Sequence, residues 1–265
     1  ALLGLPRVIR QEDGSRELVS GPETGAGPDL LLPKAVAALD AHTLIVADTG
    51  AGQPRVLSVH RISGNRSLLS GQGVGGGVSF NDASSLAVDP STNSAFILDA
   101  PDETVTRVNL SNGGRFRVAG GGVGSGPLLD APLSLAWDPA GSRLVVLQAE
   151  EVLAVDLISL DRTVLTNLSE AGFVAQSTSR ISCPPGEAYA LITLSSPLSL
   201  LEISLTTGAI TALIDMASAA GPPLVDILDV ATSAARQTAY LLSLDSNSLH
   251  ALDVSGTEHV LFSRD

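Results

Sequence analysis

Apolar residues fall along this chain in short runs, and turn-forming residues separate the runs. Leu44-Ile45-Val46-Ala47 and Leu144-Val145-Val146-Leu147 are continuous, the pattern of strands packed on both faces. Val105 to Leu110 alternates instead, with Arg107 and Asn109 on one side and Thr106, Val108 and Leu110 on the other, which predicts a strand that meets water on one face. The gaps hold Pro, Gly, Asn, Asp and Ser, and no segment carries a helical period with caps at both ends. Over residues 85 to 119 the pattern predicts four strands: Ser85-Leu86-Ala87-Val88, Ala95-Phe96-Ile97-Leu98, Val105 to Val108, and Arg115 to Ala119.

The same four-part unit recurs. A turn marker after an apolar run falls at Leu39-Asp40, Val88-Asp89, Trp137-Asp138, Ser182-Cys183 and Ala231-Thr232, spaced by 49, 49, 45 and 49 residues. A later strand keeps the beat at Val59, Val108, Val155, Ile203 and Leu252. A fixed period of this size marks an array of one supersecondary unit. Gly-rich connections link the units at Gly21 to Gly27, Gly71 to Gly77 and Gly120 to Gly126. No helix follows them, and neither a Walker Lys-Ser/Thr nor a dinucleotide fingerprint is present, so they read as crossings from an outer strand to the next inner one.

Four-stranded units repeated around an axis make a β-propeller, which leaves only short, protected edges. The expected fold is therefore all-β, a propeller of four-stranded antiparallel blades with about six-fold geometry. Outer hairpins number six and inner pairs five, because Arg7 to Arg10 and Arg16 to Ser20 form an outer hairpin alone. One domain of residues 1–265 is expected, with 1–21 as the outer hairpin of an incomplete blade and 22–71, 72–120, 121–168, 169–216 and 217–265 as full blades. An open inner edge is an aggregation hazard. The inner pair either lies upstream of Ala1, is supplied by a partner or neighbouring copy, or is replaced by a five-bladed ring with an extra hairpin on its rim. The start at Ala1 reads as that of a mature or excised fragment.

Charge and composition narrow the function. A net charge of −13 opposes nucleic-acid binding and docking on anionic membranes. Tyr189 to Leu201, the most apolar stretch, is too short to span a membrane and is interrupted by Ser195, Ser196 and Pro197. Aromatics at 3% disfavour a third reading, a glycan-binding propeller, because sugar platforms draw on Trp and Tyr. The single cysteine, Cys183, ends an inner strand and reads as a small buried thiol.

Leu44-Ile45-Val46-Ala47-Asp48-Thr49-Gly50 with Arg55-Val56, and Ser85-Leu86-Ala87-Val88-Asp89-Pro90, resemble the core of NHL repeats. Glu202-Ile203-Ser204-Leu205-Thr206-Thr207-Gly208 is similar to hairpins of bacterial secreted six-bladed propellers. The likeness covers the whole chain in short structural motifs, and the fourth blade departs from it at Cys183 and Thr193-Leu194. It implies an interaction scaffold or extracellular module, and some six-bladed relatives are metal-dependent lactonases or lyases.

Asp29, Asp82, Asp130 and Asp226 each precede a first strand, with Asn81 beside Asp82. Such carboxylates suit Ca²⁺, which could polarise an ester; the competing reading is that they accept bonds from turn amides. The fourth blade offers only Gln176 and Ser177 there. Lys34 and Arg180 also enter first strands and read as neutralising neighbouring Asp residues. His42, His60, His250 and His259 lie in turns or outer strands, away from a zinc centre, and no nucleophile elbow is present. Three sequons, at Asn65, Asn109 and Asn167, sit in or after outer hairpins, where a glycan would clear the core. The expectation is a non-catalytic extracellular or cell-surface propeller that serves as a structural or protein-interaction module; the alternative is a Ca²⁺-dependent lactonase or hydrolase built on the Asp set.

Overall fold

The computed structural model describes residues 7–12, 15–52, 54–71, 73–195, 198–215, 227–233, 238–243, 248–253 and 261–264. Apart from one short 3-10 turn at Gly50–Gly52, the regular elements among them are strands. The chain forms two compact units, residues 1–123 and 124–265.

The first unit opens with a two-stranded hairpin, β1 (Val8–Glu12) and β2 (Ser15–Ser20). A four-stranded antiparallel blade follows: β3 (Pro33–Ala38), β4 (Thr43–Asp48), β5 (Arg55–His60) and β6 (Arg66–Ser70). A second blade comprises β7 (Ser85–Asp89), β8 (Ser94–Asp99), β9 (Thr104–Asn109) and β10 (Arg115–Ala119).

The second unit holds three more sheets in the same order of pairing. They are β11 (Ser134–Asp138), β12 (Arg143–Leu147), β13 (Glu151–Asp156) and β14 (Arg162–Asn167); then β15 (Arg180–Ser182), β16 (Tyr189–Ser195), β17 (Leu198–Ser204) and β18 (Ile210–Asp215); then β19 (Ile227–Ser233), β20 (Thr238–Ser243), β21 (Ser248–Asp253) and β22 (Leu261–Arg264).

Each unit buries aliphatic side chains between successive sheets. In the first, Val8 and Val19 of the hairpin cluster with Val46, Leu57 and Val59, while Ile45, Ala47 and Val56 on the other face of that blade meet Val88, Ala95, Ile97 and Val108. In the second, Val145, Leu147 and Val152 meet Ile181, Ala190, Ile192 and Leu201. Burial on two faces accounts for the unbroken apolar runs of second strands such as β8 and β12. The first strand β3 departs from that pattern. Its burial alternates, with Lys34, Val36 and Ala38 exposed, whereas β7 is buried throughout.

Turns between first and second strands are built by the Asp of the turn marker. Asp89 accepts from the amide and hydroxyl of Ser91 and the hydroxyl of Thr92. Asp138 accepts from the amides of Ala140 and Gly141 and from Arg143. Cys183 takes this place in the next blade, partly buried against the core. Burial, and then the charge of Asp138, push its thiol upward so that it stays protonated, against the smaller opposing pull of Arg143.

Candidate functional site

Among the described residues, the loops that lead into first strands carry Asp29, Asp82 and Asp130, and each described loop is tied to the end of a second strand. Asp48, at the end of β4, accepts from the amides of Leu31 (2.9 Å), Leu32 (2.7 Å) and Gly50 (3.1 Å). Asp99, at the end of β8, accepts from the amide of Asn81 at 2.6 Å. Gln148 does the same work with an amide oxygen, accepting from the backbone of Asp130 at 2.7 Å. In the following blade Thr178 and Ser195 bond through their hydroxyls. Blocking these amides keeps the lead-in loops from leaving buried donors unpaired.

Asp29, Asp82 and Asp130 therefore do not share one place in the blade. Asp130 aligns with Asn81 through its amide, Asp82 follows that position, and Asp29 precedes the matching pair Leu31-Leu32. The backbone carbonyl of Asp29 accepts from Arg55, and the carboxylate of Asp82 accepts from the hydroxyl of Ser84 at 2.9 Å. Asp226 lies outside the described residues. Among the described residues no three His, Cys, Asp or Glu side chains gather as a metal would require.

The two carboxylates at second-strand ends differ electrostatically. Arg55 faces Asp48 across the β4–β5 register, and the two form a buried ion pair at 2.9 Å. Burial opposes the charge on Asp48, but the amides of Leu31 and Leu32, the Arg55 guanidinium and the Gly50 amide outweigh it and hold the carboxyl below the usual aspartate range. Thr104 stands in Arg55's place opposite Asp99, and its buried hydroxyl has no partner. Burial, helped by the charge of Asp102, pushes Asp99 upward despite the amides of Asn81 and Asp82.

The Gly-rich connections prove to be clasps. Gly25 and Gly27, both with positive φ, lie so close to the turn of β5–β6 that added Cβ atoms would meet the carbonyl oxygens of Gly64 and Arg66 at 1.9 and 2.0 Å. Gly75 and Gly77 repeat this against Gly113 and Arg115, and Gly124 and Gly126 against Leu160 and Arg162. The loop then closes around the arginine that begins the fourth strand. Arg66 donates to the carbonyls of Pro28, Gly21 and Thr24, Arg115 to those of Val78 and Val74, and Arg162 to that of Pro127.

The remaining candidates are scattered. His42, in the turn between β3 and β4, and His60, at the end of β5, stack with ring centres 6.4 Å apart, and His60 also bonds Ser63. His259 and the side chain of His250 lie outside the described residues. Lys34 is exposed, and Arg180 donates to the carbonyls of Ser177 and Ser179. Asn65 is exposed and accepts from the amide of Ala26; Asn109 and Asn167 are partly buried and accept from Ser111 and Ser169.

The sequence matches no protein-family model and none of the curated proteins. Its structure resembles a chain in a nidogen/laminin complex at 10% identity and a TM-score of 0.70, over 97% of this chain and 88% of that one. It also resembles a structural genomics protein of unknown function from Bacteroides thetaiotaomicron, at 12% identity and a TM-score of 0.67, over 91% and 60% of the two chains. A streptogramin B lyase is similar at 12% identity and a TM-score of 0.62, over 90% and 70%. At such identities the likeness establishes the fold, an all-β propeller of four-stranded antiparallel blades, shared by proteins of different function.

Proposed function

We propose that the chain is a non-catalytic, extracellular interaction module of a larger assembly, an NHL-like propeller of six-fold geometry. The observation that carries this reading is the exposed, alternating face of β3, where the next blade is fully buried. The polar groups at the ends of second strands and in the clasps are engaged in holding loops and blades, which leaves the apolar face of the first blade as the distinctive surface. That one structural neighbour belongs to a nidogen/laminin complex supports the choice of binding over chemistry. Modification at Asn65, the most exposed sequon, fits a secretory route.

The test is a Val36→Asp chain expressed in its source cells. The reading expects the variant to fold normally, by circular dichroism and thermal melting, yet to leave the high-mass assembly that the unaltered chain joins. It is overturned if the unaltered chain is monomeric there. The Ca²⁺-dependent hydrolase built on Asp29, Asp82, Asp130 and Asp226 is tested by calorimetry: heat of Ca²⁺ binding that Asp82→Ala abolishes, together with Ca²⁺-dependent ester or lactone turnover, would favour it.

A further inference from the structure

Three observations identify the hairpin β1–β2 as the third and fourth strands of a blade. Its register slips between Val8 and Ile9, as the third–fourth pairs β5–β6, β9–β10, β13–β14 and β17–β18 slip at the start of the third strand, while second–third pairs run without a shift. Ser20, ending β2, makes the bonds that Ser70 makes at the end of β6: each donates to the carbonyl of a turn glycine and accepts from the clasped arginine. Val8 and Val19 pack on Leu57 and Val59, the third strand of the next blade. In each four-stranded blade a second strand pairs with the inner edge of the third. That edge of β1 has no partner among the described residues.

The face next to this edge is open. Val36 is 56% exposed in β3, and Leu31 and Leu32, just before it, are 43% and 53% exposed where the following blade carries Asn81 and Asp82. Val36 stands opposite Val46, which belongs to the cluster that Val8 and Val19 cover. The open surface therefore continues inward the one that the hairpin already occupies on the outside.

The repeat itself shows what fits. The matching face of the next blade, with Val88, Ala95 and Ile97, is covered by Ala35, Ala37, Ile45 and Ala47, small aliphatic residues at alternate positions of β3 and β4. We infer that the inner edge of β1 and the open face of β3 together dock a two-stranded β-hairpin from a partner polypeptide, with alanine- to isoleucine-sized side chains at every second position. Main-chain bonds to β1 supply the strand addition, and the alternating side chains fill the face. Lys34, the one lysine of a chain with net charge −13, lies exposed on this face, so an acidic residue on the docking hairpin complements it. A second copy fits less well, because two chains of like charge repel. This inference rests on the interaction-module reading and names its site.

The probe is a synthetic peptide of residues 33–48, the inner pair that covers the equivalent face in the next blade, added to the whole chain. Binding at one peptide per chain is expected, with slowed hydrogen exchange at the amides of β1. Val36→Asp should weaken binding by about ten-fold or more, since it buries a charge in an apolar contact. Lys34→Glu should weaken it most at low salt, and Ile158→Asp, at an exposed turn of the other unit, should leave it unchanged. Absence of binding, or binding that ignores Val36→Asp and leaves β1 exchanging freely, overturns the inference. A dimer in sedimentation that dissolves on Val36→Asp overturns it in favour of a second copy. If the peptide fails but Val36→Asp still removes the chain from its cellular assembly, the docking mode is wrong and the module reading stands.

Discussion

Arg66 donates to the hydroxyl oxygen of Ser20 at 2.6 Å, and Ser20 in turn donates to the carbonyl of Gly64 at 2.7 Å. Both side chains are buried, and the arginine begins an outer strand of one sheet while the serine ends that of the sheet before it. Arg66→Lys would keep the charge but lose the planar fork that reaches four carbonyls, leaving buried acceptors unpaired. A loss of about 3 kcal/mol is expected from denaturant unfolding. Ser20→Ala should cost less, roughly 1 to 2 kcal/mol.

Glycines with positive φ fall into two groups. Gly25 has a carbonyl 1.9 Å from where its Cβ would stand, whereas Gly52 has nothing within 4 Å. Gly52→Ala carries only the left-handed backbone penalty, about 1 kcal/mol. Gly25→Ala adds a clash with backbone that cannot yield and should cost about 3 kcal/mol or more. Equal losses in urea melts of the two variants would show that the clasp is not a close contact.

Leu160 has φ of 65° at the turn position held elsewhere by Gly64, Gly113 and Gly208. Its amide donates to the carbonyl four residues earlier, as theirs do. Leu160→Gly removes the strain of a branched residue in the left-handed region and adds some chain entropy to the unfolded state. A net gain of about 0.5 to 1 kcal/mol is expected, read as a higher denaturant midpoint.

Asp48 and Asp99 should give opposite pH signatures. The carboxyl of Asp48 is held below its unfolded value, so the stability it contributes is present above about pH 4 and is lost as pH falls through its lowered folded value. That of Asp99 is raised, so the folded state holds a proton there that the unfolded state has released, and stability falls as pH rises from about 4 through the folded value. Asp99→Asn should remove that decline and cost little at pH 7, because Gln148 shows that an amide oxygen serves in the same place. Asp48→Asn should cost about 3 kcal/mol by stranding Arg55. Unfolding curves between pH 3 and 7 separate the two.

The strand pattern was legible because side-chain burial repeats with the period of the backbone. Leu44 to Ala47 and Ser85 to Val88 both fall within strands, and their spacing identified the blades. The clasps were not legible. Arg66, Arg115 and Arg162 recur at intervals of 49 and 47 residues, but their partners are carbonyl groups, which every residue owns. The tie at the end of the second strand was hidden differently: Asp48, Asp99 and Gln148 do one job with different side chains, while Asp29, Asp82 and Asp130 look alike and occupy different places. Residue type tracks chemistry only where a side chain, rather than the backbone, must be read.

Each of the three clasps ties a Gly-rich connector to the arginine that begins the fourth strand of the blade after it, so both partners of a contact lie within one repeat of the gene. An in-frame duplication of about 49 codons begun within the stretch that holds these clasps, residues 21 to 162, would regenerate a complete clasp at both junctions. The chain could thus grow or shrink by whole blades through unequal recombination, with no interface invented along the way.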